Sequence, residues 1–453
     1  MSTLAAKPME GSERGRASTR LHPATYAVIV AFCLRAVLLV ASQHANDRHT
    51  LALPTVGSEA QFIAWSLASG KGFAHPFTGY DMPTAWLAPV YPAILSLGFR
   101  IFPMNITDGG VYVGQFMNAA FSAFTCWPIW WLGVRLGGQR MGLAAAWAWV
   151  VMPFAILLPI EWVWDQSVAA LILALLLCAT YQVRTAAPTS TAWMGYGCLW
   201  GFAALVNPTL CVLLPLLLVW IAAGRLRAGL AIWAPLGKCV LLFALCLLPW
   251  TLRNYFVVDG LIFVKSNFGL ELWLGNNDQV PADDVYSPKL HPLANLRELL
   301  PLVFEGEPKY SREKLQRAIE FIKANPGTFA KLVKRRFVDT WTASNDANHD
   351  PWIQLQRRGR TAVWLCTLLS VIALTGLFFA LWKNADRAMP MVLPAVIFPI
   401  PYYITHSSLR YRHPIDPVLT ILAVYAVSAV WPAFRHDVSA AIPDASVRAT
   451  PAL

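Results

Sequence analysis

The feature that most constrains the fold of this chain is a series of about ten apolar segments, most of them long enough to cross a bilayer. They lie near 25–41, 109–134, 141–159, 162–182, 192–206, 208–223, 232–252, 361–382, 389–405 and 415–433. Hydrophobic residues make up 57% of the chain and charged residues only 13%, which excludes an ordinary soluble domain. The sequence therefore predicts an all-α integral membrane protein, a bundle of about ten transmembrane helices.

Basic residues in the short connections predict the orientation of this bundle. They are Arg135, Arg140, Arg184, Arg225, Arg227, Lys383, Arg387 and Arg435, all on one side. Because positively charged connections stay in the cytoplasm, that side is predicted to be inside. The loop before 109, the turn 159–162, the region after 253 and the connection 407–414 then face outward together. The net charge of +11 is dispersed among these span ends, which indicates lipid phosphates rather than nucleic acid as the partner.

The same pattern divides the chain into five parts. These are a disordered cytoplasmic tail (1–22), an N-terminal transmembrane module (23–255) that includes an outer loop (45–106), an outer soluble region (256–358), C-terminal transmembrane helices (359–434) and a cytoplasmic tail (435–453). The first apolar segment is interpreted as an uncleaved helix rather than a secretory signal, because further spans follow. In the outer region, 311–325 and 328–341 read as helices. The second places Phe329, Leu332, Val333 and Phe337 against Lys331, Lys334, Arg335 and Arg336, a pattern suited to lipid headgroups.

Two short helices are predicted in the outer loop. The S-x-x-Q spacing from Ser58 is typical of a capping box, so a helix begins there with Glu59 in its first turn, and it ends at 70–72. The apolar run 92–102 begins at the last of three prolines, Pro83, Pro89 and Pro92, and is too short to span a bilayer. Both helices are therefore expected to lie in the membrane plane and to pack on each other, with Glu59 between them.

Glu59 is the first candidate for chemistry. A carboxylate near a low-dielectric surface has a raised pKa and can act as a general base on a hydroxyl group. The alternative is a first-turn glutamate that the helix dipole favours. Asp165 and Glu161 flank the outer start of another span, where they could form an acceptor or metal site or pair with an arginine.

Arginines at outer span ends form a second group of candidates. Arg410 and Arg412 flank Tyr411 before the last span, and Arg253 ends an earlier one. The guanidinium fork suits a phosphate, although arginines at span ends also snorkel to headgroups. The nucleotide-binding, zinc-protease and serine-hydrolase motifs are absent from the sequence. His44, His49 and His75 leave a divalent ion open but have no ligand spacing.

These motifs together resemble the GT-C membrane glycosyltransferases. The residues that carry the resemblance are Glu59, PTAWLAPVYP (83–92), NPT (207–209), PWTLRNY (249–255), SNFGLELWLGNN (266–277) and RYRHPIDP (410–417). More narrowly, they are similar to the bacterial branch related to protein mannosyltransferases and lipid A aminoarabinose transferase. The resemblance covers the chain from the first span to the last. One departure is that many relatives carry Asp or an acidic pair where Ser58 precedes a lone Glu59.

The resemblance implies a GT-C-type bundle with a small outer layer. It also implies transfer, expected to be inverting, of a sugar from a polyprenyl-phosphate donor to an envelope glycan, lipid or protein. The site would face the periplasm or exterior of a bacterial inner membrane. Glu59 takes the catalytic position, and Arg410 and Arg412 are candidates for the donor phosphate. Further candidates for substrate binding are Lys71, Trp86, Tyr91, Asp165, Arg253, Asn267, Glu271 and Tyr411.

Two other classes of protein remain alternatives. A transporter or flippase of lipid-linked glycans would also place arginines near phosphates, but it would not need an acidic in-plane loop. A noncatalytic envelope assembly subunit would make Glu59 dispensable.

Overall fold

The computed structural model of the chain describes residues 21–46, 58–102, 109–281, 284–345 and 359–431. Nearly all of the two predicted tails falls outside the described residues. So do His49 and the side chains of His44 and Ser58, the last of which carries the predicted capping box. Within these ranges every regular element is helical, apart from one isolated bridge between Ala74 and Pro83. The prediction of an all-α protein is confirmed.

The helices follow the predicted apolar segments closely. In chain order they are α1 (Pro23–Asn46), α2 (Ser58–Ala68), α3 (Val90–Ile101), α4 (Gly109–Phe124), α5 (Cys126–Gly137), α6 (Gln139–Val151), α7 (Pro153–Glu161), α8 (Gln166–Thr185), α9 (Ala192–Val206), α10 (Leu214–Arg227), α11 (Trp233–Val257), α12 (Phe268–Gly275), α13 (Leu296–Glu305), α14 (Glu307–Ala324), α15 (Pro326–Thr342), α16 (Gly359–Ile397), α17 (Ile400–Ile404), α18 (Leu409–Arg412) and α19 (Asp416–Val430). Short 3-10 turns cover Pro208–Leu213, Pro288–Leu290 and His413–Ile415.

Six segments of the described chain are long and apolar enough to cross a membrane, or seven if the bent pair α6 and α7 is one span. One of the six runs 45 residues from Arg360 to Ile404 and is broken by the non-helical residue Asn384. At 1.5 Å per residue it measures about twice the hydrocarbon thickness of a bilayer, so the break divides it into two arms. The other predicted spans coincide with α9 and with the pair α4 and α5, which are shorter helices. The total of about ten spans stays a prediction.

A buried arginine stabilises the bend between α6 and α7. Pro153 begins α7 and has no N–H, so the carbonyl of Trp149 lacks its usual helical donor. Arg35 of α1 is fully buried and donates to this carbonyl at 3.1 Å and to Ala155 O at 2.9 Å. It also contacts Ser122 Oγ at 3.0 Å. The charged side chain thus satisfies backbone groups that a bilayer would leave without partners.

Several of the basic connections that were predicted to lie inside meet at one end of the bundle. Asp386, next to the break in α16, pairs with Arg184 at 2.7 Å and with Arg227 at 3.4 Å. These contacts join the ends of α8 and α10 to the middle of α16. The structure therefore confirms that these basic connections share one side, whereas the cytoplasmic assignment of that side stays a prediction.

The two predicted loop helices are present and pack on each other. Ala60 and Ala64 of α2 lie in the same buried cluster as Leu95 and Phe99 of α3. Arg100 of α3 donates to the carbonyl of Leu67 at the end of α2, at 3.0 Å. Unlike a helix with one solvent-exposed face, α2 also buries its polar side, including Glu59 and Ser66. The loop 73–88 and the outer layer cover that side.

The outer layer contains α12 to α15 and corrects one prediction. Arg336, assigned by the sequence to a headgroup-facing polar side, is fully buried. It donates to the carbonyls of Gly275, at the end of α12, and of Ile404 at 2.9 Å. These carbonyls end helices and need donors, so Arg336 joins α15 to α12 and α17. Phe337 and Lys331 are exposed, but the helix as a whole is a packed element of the layer.

Candidate active site

Glu59 lies in the first turn of α2 and is only 3% exposed. The indole Nε1 of Trp86 donates to its Oε1 atom at 3.1 Å. The Nε2 atom of His291, from the outer layer, lies 3.5 Å from the same oxygen. Among the described residues no side chain or backbone group donates to Oε2. One carboxylate oxygen is therefore held in place while the other remains available to a substrate.

The surroundings of Glu59 make its carboxylate more basic than usual. Burial raises the pKa of Glu59, and the negative charge of Glu271 raises it further. His291, Trp86 and Arg410 lower the pKa but do not outweigh the burial. A carboxylate with a raised pKa is a better proton acceptor for a hydroxyl group.

The backbone around His291 decides which ring nitrogen carries the proton. The N–H of Leu293 donates to Nδ1 of His291 at 3.2 Å, so Nδ1 presents its lone pair. In the neutral ring the proton is therefore assigned to Nε2, the atom that faces Glu59. His291 thus presents Nε2 to the carboxylate, and its electrostatic interaction favours the ionised form of Glu59.

The loop that carries Trp86 is attached to the outer layer by one buried carboxylate. Glu307 accepts hydrogen bonds from the hydroxyl of Thr84, from the Ala85 N–H at 2.9 Å and from Ser266 Oγ at 2.7 Å. Trp86 follows directly and packs edge-on against Phe77, with the ring centroids 4.9 Å apart. This attachment keeps the indole beside Glu59.

A second carboxylate, Glu271 of α12, lies close enough to influence Glu59. Asn267 Nδ2 donates to its Oε1 at 2.9 Å, and His406 Nε2 lies 2.7 Å from its Oε2. Burial by itself would raise the pKa of Glu271, but His406 and Lys265 outweigh burial and lower the pKa to about 2. Burial lowers the pKa of His406 itself. The contact with His406 therefore favours the ionised form of Glu271.

Two cations near these carboxylates have no ion-pair partner within 4 Å among the described residues. Arg410 lies between aromatic rings, with its guanidinium carbon 4.8 Å from the Trp164 centroid and 4.9 Å from that of Tyr411. It also donates to the Tyr411 hydroxyl at 2.9 Å. Lys265 is half-buried and close enough to Glu271 and Asp165 to lower the pKa of both. These two charges are available for an anionic ligand.

Asp165 borders the same site from the start of α8. Asn207 Nδ2 donates to its Oδ2 at 2.9 Å, and burial raises the pKa of Asp165. Tyr91 is nearby and donates through its hydroxyl to Asn118 at 3.1 Å. The structure thus groups seven of the predicted residues around one site. They are Glu59, Trp86, Asp165, Asn267, Glu271, Arg410 and Tyr411, with Tyr91 at its border.

Three predicted substrate-binding residues lie elsewhere. Arg412 is fully buried and pairs with Asp416 at 3.0 Å, so its charge is already neutralised inside the bundle. Arg253 donates to the carbonyl groups of Thr84 and Phe73, where it holds the outer loop. Lys71 is exposed and lies over Trp65, 5.6 Å from the ring centroid. None of these contacts supports a direct role in ligand binding.

Of the three histidines considered for a metal, only His75 has a side chain that the structure describes. Its Nδ1 atom lies 2.8 Å from Asp81 Oδ1 in an exposed turn. In the part of the chain that the structure describes, no group of three or more His, Cys, Asp or Glu side chains could hold a metal ion.

Sequence reasoning missed His291, Lys265, His406 and Glu307. His406 lies four residues before Arg410 in a connection already marked as polar, so its position gave a weak signal. The other three lie in the outer region, far along the chain from Glu59. Without a tertiary contact, nothing distinguishes them from ordinary surface residues.

The fold defines this protein as an all-α membrane protein with several long apolar helices. Among solved structures it is similar to the oligosaccharyltransferase of Archaeoglobus fulgidus in complex with Zn and sulfate. The TM-score is 0.55 at 15% identity, over 93% of this chain and 50% of that one. The same archaeal protein, AglB, in complex with an inhibitory peptide and a dolichol-phosphate has a TM-score of 0.51 at 13% identity, over 90% and 50% of the two chains. This chain therefore spans about half the length of AglB.

ArnT from Cupriavidus metallidurans bound to undecaprenyl phosphate is also similar over 89% of this chain and 77% of its own, at 14% identity. Its TM-score of 0.37 is too low to support an argument. No protein-family model and no curated protein matches the sequence. The resemblance to the mannosyltransferase and aminoarabinose-transferase branch therefore rests on the motifs alone.

Proposed function

We propose that this protein is a membrane glycosyltransferase. It moves a sugar from a polyprenyl-phosphate donor to an envelope acceptor, a glycolipid, polysaccharide or protein, on the outer face of a bacterial inner membrane. The observation that carries the proposal is the state of Glu59, a buried carboxylate with one oxygen held by Trp86 and His291 and the other without a hydrogen bond among the described residues. The fold shared with AglB, and the dolichol-phosphate named for one AglB structure, also support it.

Glu59 acts as the general base in this reaction. Its Oε2 accepts the proton of the acceptor hydroxyl while the hydroxyl oxygen attacks the anomeric carbon of the sugar. The bond between that carbon and the phosphate oxygen breaks, and the polyprenyl phosphate leaves with the electron pair. A single displacement of this kind inverts the anomeric configuration. A sugar already activated on a lipid phosphate needs no nucleotide outside the cell.

Lys265 and Arg410 stabilise the phosphate that leaves. Neither has an ion-pair partner within 4 Å among the described residues, and both lie near Glu271. Negative charge develops on the phosphate oxygens in the transition state, so cations placed there lower the barrier. Arg410 offers a planar fork and Lys265 a point charge, a combination suited to a phosphate monoester leaving group. Arg412, already paired with Asp416, takes no part in this step.

The basic connections support an outward orientation of the site. Arg184 and Arg227 meet Asp386 at one end of the bundle, and Glu59, Asp165 and Arg410 belong to connections predicted for the other end. The positive-inside rule supports an outward site. Both predicted tails, over 1–22 and 435–453, would then be cytoplasmic.

The proposal is tested in a strain from which the gene is deleted. Envelope glycans, glycolipids and glycoproteins are compared with those of the parent strain, and the sugar that disappears identifies the donor. The strain is then complemented with the wild type, with Glu59→Gln or with Asp81→Asn at equal membrane levels. We expect the wild type and Asp81→Asn, which changes an exposed carboxylate of the same loop, to restore the sugar.

Glu59→Gln should not restore it. Full restoration by Glu59→Gln would contradict a catalytic base and favour a transporter of lipid-linked glycans or a noncatalytic assembly subunit. In the transporter case, the lipid-linked precursor would accumulate on the inner side of the membrane in the deletion strain.

A further inference from the structure

Helix α13 of the outer layer carries an apolar stripe that no described residue covers. Leu296, Leu300 and Phe304 follow each other at intervals of four residues, so they lie along one side of the helix. Leu296 is 72% and Phe304 81% exposed. Large apolar side chains this exposed, in a row, mark an interaction surface rather than scattered surface residues.

The contacts that α13 makes on its buried side show which way the stripe faces. Leu299 and Leu302 are buried in one cluster with Phe77 and Trp86 of the outer loop. The buried and the exposed apolar residues therefore occupy adjacent arcs of the helix, while Glu298 and Glu305 lie on the remaining arc. A helix with this distribution packs on protein along one arc and requires a second apolar environment along the next.

The C-terminal end of α13 lies close to the C-terminal end of α11. Glu307 follows α13 by two residues and binds the hydroxyl of Thr84, while Arg253, in the last turns of α11, binds the carbonyl of the same residue. Helix α11 is one of the candidate spans. In addition, a Cβ on Gly260 would lie only 2.7 Å from Pro308 Cγ, so the turn after α11 touches the start of α14.

The turn after α11 also exposes apolar residues. Phe256 at the end of α11 and Leu261 and Phe263 in the following turn are all exposed. Within α11 itself, only 11% of the most apolar 18-residue stretch is buried inside the protein. Because the turn at Gly260 touches Pro308, three residues after the end of α13, this exposed apolar end of α11 lies near the C-terminal end of the stripe.

We propose that the stripe of Leu296, Leu300 and Phe304 is immersed in the outer leaflet and contacts phospholipid acyl chains. Its proximity to the exposed apolar end of the candidate span α11 favours lipid over a protein partner. Arg297, exposed beside the stripe, is placed to reach headgroup phosphates. The immersion holds the connection that carries His291 at the membrane surface, close to where a lipid-linked substrate arrives. The proposal concerns the position of α13 and does not depend on the transfer chemistry.

Photocrosslinking in proteoliposomes tests this. The full chain is prepared with p-benzoylphenylalanine in place of Phe304 and reconstituted in radiolabelled phosphatidylethanolamine and phosphatidylglycerol. The matched positions are Leu241, exposed on the candidate span α11, and Lys323, exposed on α14. We expect phospholipid adducts at position 304 at a yield within about twofold of position 241, and at least about tenfold above position 323.

Two outcomes would overturn the proposal. One is a yield at position 304 no higher than at position 323. The other is a main product that joins position 304 to a second copy of the chain or to another segment of the same chain. Leu300, replaced in the same way, repeats the measurement at an independent position, and elution as a single species on gel filtration shows that each protein is folded.

Discussion

His291 Nε2 lies 3.5 Å from Glu59 Oε1, which links the outer layer to the helix that carries the candidate base. Because Leu293 N–H occupies Nδ1, the proton of the neutral ring is assigned to Nε2. The ring therefore lies beside the carboxylate, and its electrostatic interaction favours the ionised form of Glu59. This makes His291 a positioning residue, whose effect on turnover passes through Glu59.

Substitution of His291 should separate a donor role from a merely structural one. His291→Ala removes the donor, so we expect kcat to fall by about 10-fold or more with little change in KM. His291→Gln can present an amide N–H near the place of Nε2–H and should retain most of the activity. Equal loss of activity in both variants, with unchanged pH profiles, would contradict the positioning role.

The pH profile of turnover should report the state of Glu59. The base acts as the carboxylate, so activity rises as the pH increases through the raised pKa of Glu59. His291 lowers that pKa, and its removal in His291→Ala should move the acid limb of the profile to higher pH. The measurement is kcat against pH in nanodiscs for the wild type and for His291→Ala.

Glu59→Gln should abolish the base while leaving the binding site intact. The amide keeps the size of the side chain but cannot accept the proton, so turnover should fall by about 10²-fold or more. Binding of a polyprenyl-phosphate analogue should remain within about twofold of wild type. Normal turnover of this variant would remove Glu59 from the mechanism and direct attention to Asp165.

Lys265 and Arg410 should contribute to donor binding, and Arg412 should not. Lys265→Met and Arg410→Lys remove a charge and a fork respectively, so each should weaken binding of a polyprenyl-phosphate analogue by about 1 to 3 kcal/mol. Arg412→Lys is the matched control, because Arg412 already pairs with buried Asp416. It should lower the thermal unfolding temperature instead, since the pair lies inside the bundle. Unchanged affinity in both Lys265→Met and Arg410→Lys would leave the phosphate site unassigned.

Reporter fusions should decide the orientation of the bundle. A reporter inserted after Gly306, in the outer layer, should be active only on the outside, whereas one after Gly229, beside the basic end of α10, should be active only in the cytoplasm. A cytoplasmic signal from Gly306 would reverse the predicted topology and move Glu59 to the inner face.

Much of the fold could be predicted because it depends on local patterns. Apolar runs must form helices in a bilayer, where every backbone group needs a partner within its own segment. Local signals also located α2 and α3, namely the start signal at Ser58 and the prolines before 92. The number of spans could not be settled this way. Asn384 and Pro153 break helices, and segment length alone does not show whether the two arms of such a helix form one span or two.

The sequence by itself determined the class of fold, the position of the outer loop and the choice of Glu59 and Arg410 as candidates, since each follows from residue type and place along the chain. Only the tertiary structure decided that His291 faces Glu59, that Lys265 joins Arg410 near Glu271 and that Arg412 is paired with Asp416. The physical reason is that an arginine at a span end has the same local sequence pattern whether or not a carboxylate pairs with it in the folded protein. Its availability for a phosphate depends on residues that are remote in sequence, and only the packing of the helices brings them together.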